Sequence, residues 1–123
     1  FYGVWQLVDQ EKIHNQCLSD DLEERKHALE ELNNFFSSMP DKQQAWDDLL
    51  RLTNETDFLI RLGVAFALGS AFSDMPDKQQ AWNDLHRLIN DTDFFIRFGV
   101  TSVLGLRFLK YQINNRRGMI YID

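Results

Sequence analysis

The stretch Met39-Pro40-Asp41-Lys42-Gln43-Gln44-Ala45-Trp46 recurs unchanged, 36 residues on, as Met75-Pro76-Asp77-Lys78-Gln79-Gln80-Ala81-Trp82. Working outward from it, residues 39–74 laid on 75–110 agree at 23 of 36 positions. Chance does not produce that, and a fixed period of 20–50 residues marks stacked supersecondary units. A further step of 36 sets residues 3–38 on 39–74, where Asp21, Arg25, Leu32, Phe36 and Ser37 fall on Asp57, Arg61, Leu68, Phe72 and Ser73. The match is weak in the first half of that copy and better in the second. Three copies follow, approximately 3–38, 39–74 and 75–110, with the first divergent, as a terminal unit that meets water on its outer side should be. The whole chain, 1–123, reads as a single domain, with 111–123 as a C-terminal cap or tail.

Each copy reads as two helices. In the second copy Pro40 stands at a helix start, where its missing N–H costs nothing, with Ser38 or Met39 in the cap position and Asp41 in the first turn. Ala45, Leu49 and Leu52, with Trp46 and Leu50 beside them, form an apolar stripe at helical spacing. Asn54-Glu55-Thr56-Asp57 is polar turn chemistry that also supplies the next N-cap. The second helix is predicted over Phe58 to Phe72, with Ile60, Val64, Ala67, Leu68 and Ala71 on one face. The third copy repeats the plan with Trp82, Leu85 and Leu88, then Ile96, Val100, Val103 and Leu104. In the first copy the second helix is clear from Leu22 to Phe36, whereas the first, somewhere in Tyr2 to Leu18, is poorly patterned. A two-helix unit with apolar stripes on both helices cannot bury them alone, so the copies must stack into one core. Gly63 and Gly69, repeated as Gly99 and Gly105, interrupt the second helix at about 1 kcal/mol each relative to Ala. Their recurrence points to close backbone approach between neighbouring units, against the plainer reading that duplication merely carried them along.

The pattern Asp57-Phe58-Leu59-Ile60-Arg61-Leu62-Gly63-Val64, running on to Ala67-Leu68-Gly69, with Asp93-Phe94-Phe95-Ile96-Arg97-Phe98-Gly99-Val100 and Leu104-Gly105, resembles the short HEAT-like repeats of phycobilisome lyases and of many archaeal and bacterial proteins. That resemblance covers the three 36-residue copies and implies an all-α fold, a right-handed α-solenoid (α-α superhelix, armadillo-like) of three tandem two-helix repeats. It implies that Asp21, Asp57 and Asp93 cap the second helices. It also implies that Arg25, Arg61 and Arg97 form a ladder, each reaching a carboxylate in the adjacent repeat. The first copy departs from the pattern, with Asn33 in place of the second glycine and Glu30-Glu31 in place of small or apolar residues. The fold by itself says little about activity, because function resides in sites.

The resemblance further implies that second helices line a concave side whose variable positions face a partner. Here those positions hold Phe58, Leu59, Leu62, Gly63, Phe66 and Ser70, then Phe94, Phe95, Phe98, Gly99, Ser102 and Leu106, with Leu22, Glu23, Lys26, His27, Glu30 and Asn34 in the first copy. Leu59, Leu62 and Phe66 make a stripe separate from the Ile60/Val64/Leu68 core stripe, and Phe95, Phe98 and Leu106 continue it. A second apolar face, rich in Phe, is the composition of an interface centre. The competing reading is that these side chains are core, which burial of Phe66, Phe95 and Phe98 would show.

Composition and motifs narrow the function classes. With 19 Asp and Glu against 13 Lys and Arg, the chain lacks the cationic excess that phosphate backbones require, so nucleic acid is not the expected partner. Lys110, Arg116 and Arg117 form the one cationic cluster. No apolar run approaches the roughly 18 residues of a membrane span, no signal peptide is visible, and a single cysteine, Cys17, fits a reducing cytoplasm. His14, His27 and His86 have no His or Cys at i+3 or i+4, so no zinc motif arises. The His-Glu pairing of HEAT-repeat hydroxylases is missing too. The pairs Glu23-Glu24 and Glu30-Glu31 read as a solvated face, and Ser37-Ser38 has no adjacent base. The expectation is a non-enzymatic cytoplasmic scaffold without cofactors, binding a helix or extended segment of another protein. Two alternatives stay open: a bilin or chromophore lyase-like accessory factor, in which Cys17 is the sole thiol, and a homodimer that closes the groove on a second copy.

Overall fold

A computed structural model describes residues 8–91, with side chains through Leu88. Every regular element among these residues is helical: α1 (Gln10–Cys17), α2 (Leu22–Phe35), α3 (Lys42–Leu52), α4 (Phe58–Ala71) and α5 (Lys78–Asp91). Short 3-10 turns at Phe36–Ser38 and Phe72–Asp74 follow α2 and α4. The expected second helix of the third copy and the segment 111–123 lie outside the described residues.

Each helix start is fixed by an aspartate. Asp9, Asp41 and Asp77 accept the amide N–H three residues on, from Lys12, Gln44 and Gln80 at 3.1, 3.0 and 3.0 Å. Asp21 accepts from Glu23 N–H, and Asp57 from Leu59 and Ile60 N–H. Each satisfies amides that a helix start otherwise leaves unpaired, an effect of about 1 kcal/mol per cap. The cap of α3 is thus Asp41 and not Ser38 or Met39. Pro40 stands outside the helix, because the Asp41 carboxylate, three residues nearer the first turn than the Ser38 hydroxyl, reaches the free amides.

The connections repeat as closely as the helices do. Met39 N–H donates to Phe36 O and Met75 N–H to Phe72 O, at 3.0 and 3.2 Å. Lys42 and Lys78 then cap the same turns, each donating from Nζ to the carbonyl of Met39 or Met75. Phe36, Met39, Phe72 and Met75 are all buried, so each 3-10 turn plugs the core between one helix pair and the next.

Helix α1 packs on α2 and α3, and α4 on α2 and α3, so helices two apart in the chain lie side by side. Ile13, Cys17, Ala28, Leu32, Ala45, Trp46, Leu49, Val64, Leu68, Ala81 and Leu85 form one continuous buried cluster through all five helices. The predicted stripe Ile60, Val64, Ala67, Leu68 and Ala71 lies within it. Where α2 and α4 cross, a Cβ on Gly63 would stand 3.1 Å from Cδ2 of Leu29, tighter than ordinary van der Waals contact. The glycine therefore lets the two helices approach. Gly63→Ala is expected to shift stability by less than about 1 kcal/mol, since the gain in helix propensity opposes a small displacement of the Leu29 tip. Gly63→Leu should lower it by about 1–3 kcal/mol through overpacking. Urea melts of the two variants measure the difference.

The first helix pair is in a different register from the others. Asp9 and Asp21 are 12 residues apart as N-caps, whereas Asp41 and Asp57 are 16 apart. Helix α1 therefore matches α3 at an offset of 32, while α2 matches α4 at 36. Four residues are close to one helical turn of 3.6, so the shortened helix keeps nearly the same face inward. Ile13 and Cys17 take the buried places of Ala45 and Leu49, and His14, only half-buried, stands at the position of Trp46. This accounts for the weak match of the first half of copy one at a fixed offset of 36.

Candidate functional site

Two side-by-side faces follow from this packing. One runs through the first helices, α1, α3 and α5, and is held by buried carboxylates. Trp46, fully buried in α3, donates from Nε1 to Oδ2 of Asp84 in α5 at 2.9 Å. Asp84, 4% exposed, also accepts from Gln80 and from Arg87, at 3.1 and 2.8 Å. One step earlier, Nδ1 of His14 donates to both carboxylate oxygens of Asp48 at 2.9 and 3.1 Å. The two contacts are equivalent: His14 stands where Trp46 stands, and Asp48 where Asp84 stands. At the same junction the Gln10 side chain donates to Asp41 O at 2.7 Å and accepts from Asp41 N–H at 3.0 Å. These links join α1 to α3 and α3 to α5, and their role is cohesion.

Burial holds the Asp48 carboxyl above its ordinary value of 3.8, partly offset by the His14 hydrogen bond and the Arg51 charge. A carboxyl raised in the folded chain is ionised first in the unfolded one. Its contribution is fully present below 3.8 and is lost as pH rises through the folded value. Asp48→Asn keeps an acceptor for His14 and removes the ionisation. The difference in melting temperature, wild type minus variant, is expected to fall as pH rises above about 4 and then level off. A flat difference from pH 3 to 7 would contradict the assignment. Cys17 lies in the same layer, buried, with its thiol pushed up to about 12 by burial and by the Asp48 charge. As a protonated thiol it is not a nucleophile near neutral pH.

The second face runs over α2 and α4 and contains a groove of about 560 Å3. Helix α2 contributes Glu23, Lys26, His27, Leu29 and Glu30, and the first turn of α4 contributes Leu59 and Ile60. The Asp57 cap presents Leu59 to this groove: the helix begins at Phe58, so its second residue projects outward while Ile60 turns into the core. Leu59 is 66% exposed and Phe58 45%. Lys26 pairs with Glu23 at 3.5 Å, and His27 is tied back to α1 through its Nδ1 to Oε1 of Gln16 at 3.0 Å.

Of the residues read from sequence as partner-binding, the groove unites Leu59 with Glu23, Lys26, His27 and Glu30 of the first copy. Phe58 is exposed outside it, and Leu62 and Phe66 are half-buried and do not line it. Phe94, Phe95, Phe98, Ser102 and Leu106 lie outside the described residues, as do Asp93 and Arg97. Asp21 and Asp57 are the caps of α2 and α4. Arg25 forks onto the Glu55 carboxylate in the turn before α4, Nη2 to Oε1 at 3.2 Å, and donates from Nη1 to Ser19 O at 2.8 Å. That hydrogen-bonded pairing raises the guanidinium above its ordinary value. Arg61 reaches back in the same way, from Nη1 to Glu55 O at 3.4 Å.

No family model, curated protein or solved structure matches this chain.

Three groups escaped the sequence reading. Leu29 packs on Gly63 and floors the groove, but its partner is 34 residues away. Asp48 and Asp84 are buried acceptors whose signal was their identity in both copies beside an apolar stripe. His14 escaped because only the 32-residue offset aligns it with Trp46. Among the described residues no group of three or more His, Cys, Asp or Glu is placed to hold a metal ion, and no helix is long and apolar enough to cross a membrane.

Proposed function

We propose that this chain is a HEAT-like right-handed α-solenoid that binds a segment of another protein in the groove over its second helices and carries out no reaction itself. The observation that carries the reading is the groove between α2 and α4, with Leu59 two-thirds exposed at its edge and Leu29 and Ile60 in its floor. An apolar side chain held in water beside a concavity is a cost that a docked partner removes. Side-by-side packing of α1 on α3 and of α2 on α4 supports the solenoid, since each helix pair buries its open flank on the next. The two layers divide the work. The first helices are cross-linked by buried carboxylates, which leaves the second-helix layer to present variable side chains. The inert state of Cys17 counts against thiol-dependent chromophore attachment at that residue.

The test is affinity capture from native lysate with the wild-type chain, Leu59→Glu, and Leu18→Glu as a control at another exposed leucine. A protein retained by wild type and Leu18→Glu but lost by Leu59→Glu supports the reading. Equal retention by all three overturns it. Sedimentation at two concentrations distinguishes self-association: a mass that doubles with concentration, and does so less in Leu59→Glu, would replace the partner by a second copy.

A further inference from the structure

The charges around the groove say what its occupant carries. Residues 8–91 hold 17 Asp and Glu against eight Lys and Arg, so the surface is acidic as a whole. On α2 both cations are already engaged, Arg25 with Glu55 and Lys26 with Glu23. The single cation of α4, Arg61, is drawn to the Glu55 carbonyl and away from the groove. Glu30 is exposed, lines the groove beside its apolar floor, and makes no hydrogen bond or ion pair among the described residues. The groove is thus apolar along α4 and carries an uncompensated negative charge along α2.

We infer that the occupant is a basic amphipathic segment of another protein, which sets an apolar side chain on Leu29, Leu59 and Ile60 and a Lys or Arg on Glu30. This rests on the proposed groove and adds its charge preference. The apolar contact supplies affinity, because it covers the part of Leu59 that water now wets. The cation supplies discrimination: an acidic segment of the same shape would place like charges together beside a low-dielectric floor. Glu23 reinforces the preference only weakly, since Lys26 neutralises it at 3.5 Å.

Two fluorescein-labelled peptides of designed sequence test this. Each has about 15 residues and the same leucine stripe, one flanked by lysines and the other by glutamates. Binding is read by anisotropy against wild type, Glu30→Lys, Glu24→Lys and Leu59→Ser. Glu24 is exposed on the same helix but lies on the α1 side, away from the groove, so the two lysine variants change net charge equally and differ only in place. All the substituted residues are exposed, and circular dichroism checks that each variant keeps its helices. The lysine peptide is expected to bind better than the glutamate peptide. Glu30→Lys should weaken it by about fivefold or more, Glu24→Lys by less than about twofold, and Leu59→Ser should weaken both peptides. Equal binding of both peptides, lost in Leu59→Ser, would overturn the charge preference and leave the groove standing. Equal weakening by Glu24→Lys and Glu30→Lys would overturn it as well, reducing the effect to net charge. Binding indifferent to Leu59→Ser would overturn the groove itself.

Discussion

Trp46→Ala is expected to cost about 3–5 kcal/mol of folding stability, the range for deleting a buried indole. Against a total of about 5–15 kcal/mol for a domain, that is enough to leave a large unfolded fraction or none of the native state. Trp46 has no exposed surface and lies in α3 at the centre of the continuous core, so the cavity opens against α5 as well as within its own helix pair. Its Nε1 is also the donor that links α3 to Asp84. Trp46→Phe separates the two contributions. It keeps most of the ring and removes the donor, and Asp84 retains Gln80 and Arg87. The expected loss is therefore about 2–3 kcal/mol, from the hydrogen bond to a carboxylate together with the smaller ring. Urea denaturation of both variants reads the two values. A loss below about 1 kcal/mol for Trp46→Ala would mean that α3 does not anchor the core.

Leu68→Ala is the second large effect, about 2–5 kcal/mol, and its value lies in contrast with a leucine nine residues away. Leu68 is completely buried on α4, in the place that Leu32 occupies on α2. Removing its branched end leaves a void that packed neighbours fill only in part. Leu59, on the same helix, is 66% exposed, and Leu59→Ala should change stability by no more than about 0.5 kcal/mol. One helix thus carries a core leucine and a groove leucine, and thermal melts of the two alanine variants tell them apart. If Leu59→Ala cost as much as Leu68→Ala, Leu59 would be a packing residue and the groove substitutions could not report on binding. With the expected contrast, the Leu59 variants used for capture and peptide binding remain folded.

The Asp57 cap and the core stripes were legible because they are local, whereas the cap of α3 was expected at Ser38 or Met39 and the start of α1 was not placed. An Asp before a helix speaks to amides two or three residues on, and a buried stripe repeats within one or two turns. Ile60, Val64 and Leu68 could be placed in the core from their spacing alone. The outer stripe Leu59, Leu62 and Phe66 was only partly separable from it. Period tells which residues share a face, but how much of that face a neighbouring helix covers depends on the crossing of α2 and α4. There Gly63 admits Leu29, and the groove opens nearer the N-terminal turn of α4 than a uniform stripe suggests.

The sequence by itself determined that the described chain is all-helical, that Asp57 caps α4, and which apolar stripes of α3 and α4 are buried. These follow from backbone chemistry and spacing within a few residues. Only the tertiary structure decided that His14 belongs with Asp48, Trp46 with Asp84 and Arg25 with Glu55, pairs 30 to 38 residues apart. It also decided that α1 is in register with α3 at 32 residues while α2 matches α4 at 36. The reason is that such pairs depend on the axial stagger of packed helices. That stagger is set by how whole side-chain surfaces fit, and no short-range signal along the chain encodes it.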